Sequence, residues 1–163
     1  MSLCFGSKEA CVEGYTDANY AGDVDKRRST SGYVFMFIGG AVSWRSRLQN
    51  CVSLSTTEAE YIAAGEACKE ALWLARLVGD LGVTVEMPVL HCDSQSAIML
   101  SKNPVFYAKK KHIAVKYHFI RDVLEDKHME LVKVHTTENP ADLLTKGLPG
   151  ESFAHCRDLM GVG

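Results

Sequence analysis

Apolar positions along this chain first alternate with polar ones, then recur every three or four residues, then alternate again. Val12 to Ala18 reads as a short strand, and the charged, turn-rich stretch from Gly22 to Gly32 reads as the loop after it, with Asp23 and Asp25 solvated. Tyr33 to Ile38 is aromatic and β-branched, Gly39-Gly40 marks a tight hairpin, and Ala41 to Arg47 alternates apolar with polar residues. The chain is therefore predicted to open as three antiparallel strands.

A long helix is predicted from Thr56 to Val78, with Ser55-Thr-Thr-Glu58 as a capping box and Gly79 and Gly82 beyond its end. Tyr61, Ala64, Cys68, Leu72, Ala75 and Val78 form its apolar stripe, widened by Ile62, Trp73, Leu74 and Leu77. Val85 to Cys92 reads as a strand running into Asp93, and Ser94 to Ser101 as a short helix broken by Asn103-Pro104. Tyr117 to Asp126 has helical periodicity, Met129 to His135 alternates as a further strand, and Pro140 opens a last helix where its missing N–H costs nothing. The predicted order is βββαβααβα, an α/β fold with a five-stranded mixed sheet flanked by helices. One domain is expected over 1–163, with its core at about 12–147 and a tail from 148 that forms a short helix around Phe153 to Leu159.

Composition narrows the class. With 47% hydrophobic and 23% charged residues, the chain has neither a disordered nor a fibrous bias. Six cysteines lack CxxC pairs or zinc-finger histidines, so reduced thiols and an intracellular setting are expected, and no run has the length and apolarity of a membrane span or a signal peptide. Net charge is −2, which does not advertise a basic nucleic-acid binder. Its distribution does: Ser94 to Arg121 contains no acid, while Lys102, Lys109, Lys110, Lys111, Lys116 and Arg121 supply cations beside His112 and His118.

The predicted layout puts Asp17 on the first strand, Asp93 at the end of the fourth, Glu60 in the first turns of the long helix and Asp142 in the first turn of the last. Strands carrying Asp17 and Asp93 end at a crevice that both helices border, so the four acids can converge. Each like-charge pair at about 4 Å costs on the order of 4 kcal/mol at an effective dielectric of 20. Divalent cations would offset that, and hard oxygen ligands suit Mg²⁺, with Mn²⁺ substituting. Two such ions bridging a phosphate drive in-line phosphodiester hydrolysis. Asp17 and Asp93 are costly in apolar strands unless used. Spacing alone leaves Glu60 open against Glu58, which already serves as a cap partner, and leaves Asp142 open against a simple role at a helix N-terminus.

Six strings then occur in order: Gly14-Tyr-Thr-Asp-Ala-Asn-Tyr-Ala-Gly-Asp23, Ser29-Thr-Ser-Gly-Tyr33, Leu54-Ser-Thr-Thr-Glu-Ala-Glu-Tyr-Ile-Ala63, Cys92-Asp-Ser-Gln-Ser-Ala-Ile98, Lys111-His-Ile-Ala-Val-Lys-Tyr-His-Phe-Ile-Arg121 and Asn139-Pro-Ala-Asp-Leu-Leu-Thr-Lys146. Together they resemble the C-terminal RNase H domain of copia-type LTR retrotransposon polyproteins, particularly plant ones, from about Leu3 to Met160. The resemblance implies the RNase H fold and a two-metal site whose carboxylates are Asp17, Glu60, Asp93 and Asp142, which favours Glu60 over Glu58. It implies a magnesium-dependent endonuclease that cuts the RNA strand of an RNA/DNA hybrid, leaving 5′-phosphate and 3′-hydroxyl ends. It further implies a reverse transcriptase domain as neighbour in the parent polyprotein, and a cytoplasmic, virus-like-particle setting.

The chain also departs from cellular and retroviral RNases H. Thr56 and Thr57 stand where those often place Asn or Gln to touch the hybrid's minor groove, and a hydroxyl has less reach toward a 2′-OH. Gln95 matches a retroviral glutamine beside the third carboxylate, and Asn19 and Ser94 flank the same acids. His135 precedes Asp142 as some RNases H place a mobile histidine, making it a candidate auxiliary catalytic residue. The run Lys109-Lys-Lys-His112, with Lys116, lies where some cellular enzymes carry a basic handle for hybrid, and Tyr107 and Tyr117 offer stacking surfaces. A strand transferase of the integrase type usually takes its Glu after the second Asp; here Glu60 precedes Asp93, which favours the nuclease. The remaining alternative is a non-cleaving hybrid-binding module.

Overall fold

A computed structural model describes residues 10–102 and 111–163, with backbone only for 111–117. Five strands, β1 (Val12–Asn19), β2 (Thr30–Phe37), β3 (Gly40–Leu48), β4 (Val89–Cys92) and β5 (Glu130–Lys133), form one sheet in the order β3-β2-β1-β4-β5. β1, β2 and β3 pair antiparallel, whereas β1–β4 and β4–β5 are parallel, as the expected mixed sheet requires. Helices α1 (Thr56–Asp80), α2 (Gln95–Lys102), α3 (Lys111–Glu125) and α4 (Gly150–Leu159) flank it. Among the described residues no helix is long and apolar enough to cross a membrane.

The core lies between the sheet and α1. Ala59, Ala63, Ala67 and Ala71 recur at one helical spacing and are all buried, so small side chains let α1 lie close on the strands. Phe35, Leu90, Tyr61, Cys68 and Ile120 fill the space around them. The stripe expected on α1 is too wide: Trp73 and Leu77 are exposed, while Ala71, Leu74 and Val78 are buried on the face toward the sheet.

Several boundaries differ from expectation for identifiable reasons. The hairpin between β2 and β3 turns at Ile38-Gly39, with φ of 50° and 85°, rather than at Gly39-Gly40; two left-handed residues match the twist of the flanking strands. β4 begins only at Val89, since Pro88 cannot donate to a ladder. β2 starts at Thr30, inside the stretch expected to be loop, and Asp23 organises that loop rather than being merely solvated. Its Oδ1 accepts from the backbone N–H groups of Asp25 and Lys26, and its Oδ2 lies 3.8 Å from Arg28. The last predicted helix forms two short 3₁₀ segments instead, Thr136–Glu138 and Pro140–Leu144. The tail helix is longer than expected and starts at Gly150.

Candidate active site

The register of the two central strands creates the site. β1 pairs parallel with β4, Thr16 opposite Cys92, so the next residues, Asp17 and Asp93, stand side by side where β4 ends. Asp17 is fully buried, whereas Asp93 is half-open. From above, α1 contributes Glu60. Its start is fixed by Ser55, whose hydroxyl accepts from the Glu58 N–H at 3.1 Å, and by Glu58, whose carboxylate reaches past the cap to the Leu54 N–H at 2.8 Å. Glu58 is thus held as a capping group, as its spacing suggested. Buried Gln49 ties this end of α1 to the sheet by donating to the Ala59 carbonyl and the Ser31 hydroxyl, each at 2.9 Å.

The fourth acid arrives on the 3₁₀ segment Pro140–Leu144. Asn139, fully buried, caps that segment by accepting from the Ala141 N–H at 3.2 Å and pins it to β1 by donating to the Thr16 carbonyl at 3.0 Å. Close approach is possible because Gly32, directly opposite Asp17 on β2, has no side chain. A Cβ there would sit 2.7 Å from Thr145 Cγ2 and 2.9 Å from Leu144 Cβ. Asp142 and Thr145 are thereby brought against Asp17.

Carboxylate oxygens of Asp17, Asp93 and Asp142 all lie within 4.8 Å of one another, and Glu60, Cys92 and Asp93 form a second group within the same limit. Asp93 belongs to both. The Cys92 thiol is pushed up to about 12, chiefly by burial, so it stays protonated and is a poor partner for a hard cation. Glu60 is pushed up to about 8 by burial and then by the charges of Asp17 and Asp93, and its Oε2 is buried with no hydrogen-bond partner. Asp142 is raised to about 6, by burial first and Asp17 second, against the opposing pull of Lys146. Leaving the Cys92 thiol aside, the carboxylates of the two groups, including the orphaned Glu60 Oε2, are hard oxygen donors that fit divalent cations such as Mg²⁺.

Two residues unremarked as site members in the sequence complete the cluster. The Thr145 hydroxyl donates to Asp17 Oδ2. Lys146 places its Nζ 3.1 Å from Asp17 Oδ1 and 3.2 Å from Asp142 Oδ1. The available signal was the i,i+4 spacing of Asp142 and Lys146 within the last recognised string; their convergence on Asp17, more than a hundred residues away, leaves no local trace.

The expected substrate contacts are placed less uniformly. Thr56 and Thr57 occupy the first turn of α1, exposed and half-exposed, on the helix that carries Glu60, and Gln95 is exposed at the start of α2, just after Asp93. Ser94 is occupied locally, its hydroxyl accepting from the Ala97 N–H at 3.2 Å. The side-chain amide of Asn19 donates to the Thr145 carbonyl at 3.2 Å, a further tie between β1 and the Asp142 segment. His135 is exposed and caps the first 3₁₀ segment, its Nδ1 accepting from the Thr137 N–H at 3.3 Å. Lys109 and Lys110 lie outside the described residues, as do the side chains of Lys111, His112 and Lys116. At the far end of the basic stretch, Arg121 is engaged by Glu125 and Asp122 of its own helix at 3.5 and 3.8 Å.

No family model matches the chain. It is 53% identical over 160 residues to the retrovirus-related Pol polyprotein from transposon TNT 1-94 of Nicotiana tabacum, covering 98% of this chain and 12% of that protein. Against the Pol polyprotein from transposon RE1 of Arabidopsis thaliana it is 38% identical over 152 residues, 93% of this chain and 10% of that one. Among solved structures, LC11-RNase H1 in complex with RNA/DNA hybrid superposes with a TM-score of 0.56 at 20% identity, over 82% of this chain and 93% of that one. The fold is that of RNase H, and the relatives are Pol polyproteins of plant copia-type transposons. An RNase H-fold segment is also part of the foamy viral protease-reverse transcriptase solved with RNA/DNA hybrid, which matches 90% of this chain and 20% of that chain with a TM-score of 0.58 at 17% identity. The present chain thus spans about a tenth of the length of its plant relatives.

Proposed function

We propose that this chain is the ribonuclease H segment of a copia-type Pol polyprotein, an endonuclease that hydrolyses the RNA strand of RNA/DNA hybrids during reverse transcription. One observation carries the reading: four carboxylates, from β1, α1, the residue after β4 and the 3₁₀ segment Pro140–Leu144, converge where adjacent parallel strands end, in two groups sharing Asp93. Asp17, Asp93 and Asp142 would hold one divalent cation, and Glu60 with Asp93 a second, with Mg²⁺ the fitting ion and Mn²⁺ a substitute. Such ions, when bound, supply a hydroxide nucleophile at neutral pH and stabilise the departing oxygen.

The chain's own residues prepare that site. Asn139 and the gap at Gly32 hold Asp142 against Asp17, and the Thr145 hydroxyl fixes the orientation of the Asp17 carboxylate. Thr56, Thr57 and Gln95 border the cluster with hydroxyl and amide groups suited to a sugar edge, and the acid-free segment from Ser94 to Arg121 adds attraction for phosphates. His135 stays a candidate for an auxiliary role, and its capping bond to Thr137 would then have to open. The reverse transcriptase segment of the same polyprotein is the natural partner, and a cytoplasmic particle the natural setting.

With Mg²⁺ or Mn²⁺, the purified chain should cut labelled RNA in an RNA/DNA hybrid to products with 5′-phosphate and 3′-hydroxyl ends, sparing single-stranded RNA and duplex DNA. Asp17→Asn should lower the rate by about 100-fold or more, the loss expected when a metal ligand of the reacting site is neutralised. Unchanged cleavage by Asp17→Asn refutes the assignment. Intact hybrid binding without cleavage by the wild-type chain would favour the non-cleaving module instead.

A further inference from the structure

Lys146 holds the position in this site where a cation is most needed. Its ammonium lies almost equally far from Asp17 and Asp142, at 3.1 and 3.2 Å, and those two carboxylates belong to the group of three that could hold a metal ion. Among the described residues the other lysine beside the cluster, Lys133, is committed to the backbone carbonyl of Asp93 and not to a carboxylate. A lysine ammonium is a compact point charge on a flexible stem, so it can stand in for a small ion as an arginine fork cannot. The partners differ in exposure. The side chains of Asp17 and Asp142 are 1% and 12% exposed, whereas that of Lys146, two residues beyond the 3₁₀ segment, is 35% exposed. A divalent cation on Asp17 and Asp142 would face the ammonium as a like charge, and only the lysine has room to leave.

We propose that Lys146 is an exchangeable internal counter-ion, which fills the Asp17–Asp142 end of the cluster in the metal-free protein and is displaced by the divalent cation, thereby setting the metal affinity of the site. This rests on the metal site proposed above. Neutralisation by Lys146 lets the fold form before metal arrives, since two acids against one another would otherwise repel. The cost is a weaker site, because each bound ion must first break two ion pairs.

The test is calorimetric titration of Mn²⁺ and Mg²⁺ into the EDTA-treated full chain, comparing wild type with Lys146→Met and Lys146→Gln, alongside thermal unfolding without metal. Both variants should melt at a lower temperature than wild type in EDTA. Both should bind the ions about tenfold more tightly, as expected when two partly exposed ion pairs no longer have to be broken. Should neither variant fold without metal, the ammonium resonance of Lys146 in the wild type supplies the answer: it should be sharp in EDTA and shift or vanish on saturation with Mg²⁺. Equal or weaker metal affinity in the folded variants, or an ammonium signal indifferent to Mg²⁺, overturns the counter-ion role while leaving the metal site standing. Failure of the wild type to bind either ion overturns both.

Discussion

Asn139 shows how a single residue can determine whether a site exists. Both ends of its amide are used, one for the Thr16 carbonyl of the strand that carries Asp17, the other for the N–H of the segment that carries Asp142, and the side chain is wholly buried. Asn139→Ala would leave a carbonyl and an N–H without partners, each costing about 1–3 kcal/mol when buried. We expect a loss of about 2–3 kcal/mol in urea unfolding. A larger fractional loss is expected in kcat for hybrid cleavage than in KM, because Asp142 would no longer be held against Asp17. A change below about 0.5 kcal/mol would show that the 3₁₀ segment is held in place by other contacts, such as the Asn19 amide on the Thr145 carbonyl. From sequence alone Asn139 is read merely as the residue before a helix-starting proline. The capping half of its role is local and legible, whereas the half that bonds β1 is not.

At the level of elements, alternation and helical period located the five strands, α1 and α2 to within a few residues, whereas α3 begins at Lys111 rather than Tyr117 and the last expected helix is replaced by 3₁₀ turns; several departures trace to backbone chemistry that periodicity does not encode. Pro88 trims β4. The Asp142 segment winds as 3₁₀ because buried Asn139 and the close approach at Gly32 tie its turn to the sheet, where an α-helix would need room to continue. Most informative is the β2–β3 turn. Gly39-Gly40 offers two residues without steric cost, yet the turn uses Ile38 at φ 50°, a conformation that costs a β-branched residue on the order of 1–2 kcal/mol. Register explains the choice: Phe37 pairs with Gly40. Moving the turn by one residue would re-pair β2 with β3 along its length, so that Tyr33, Val34 and Phe35 lose their present partners Arg45, Trp44 and Ser43. Packing therefore outweighs turn preference. Ile38→Asn, which tolerates the left-handed region, should raise stability by about 0.5–1 kcal/mol with the sheet unchanged, read as a higher Tm. A lower Tm would mean that the half-buried Ile38 side chain contributes more to packing than its backbone strain costs.

For the molecule as a whole, the parallel pairing of the strands that carry Asp17 and Asp93 was legible, because strand–helix–strand connections leave few alternatives, whereas the strand order was not read from the sequence. What no sequence pattern reveals is how far the site is at odds with the stability of its own fold. Glu60 is buried beside Asp17 and Asp93 and titrates near 8 instead of at the ordinary 4.5, and Asp142 near 6 instead of 3.8. Both are acids whose pKa is raised by folding, so between pH 4.5 and about 8 the folded state holds a proton on Glu60 that the unfolded chain has lost. Stability without metal must then fall as pH rises through that window, by at most about 1.4 kcal/mol per pH unit for one proton, and by less where solvent screens the site. Above pH 8 that contribution levels off. Divalent cations reverse the trend, since they bind the ionised carboxylates and stabilise the fold as RT ln(1 + [L]/Kd). Thermal unfolding at half-unit steps from pH 5 to pH 8.5 should therefore show a falling Tm in EDTA and a stabilising increment from Mg²⁺ that grows with pH. Glu60→Gln removes the titrating group, so its Tm in EDTA should be higher than wild type at pH 8 and less dependent on pH, with a smaller increment from Mg²⁺. A wild-type Tm in EDTA that is flat or rising from pH 5 to 8, or a Glu60→Gln profile parallel to it, would show that Glu60 is not held in repulsion. Repulsion among the carboxylates would then not draw cations to this site.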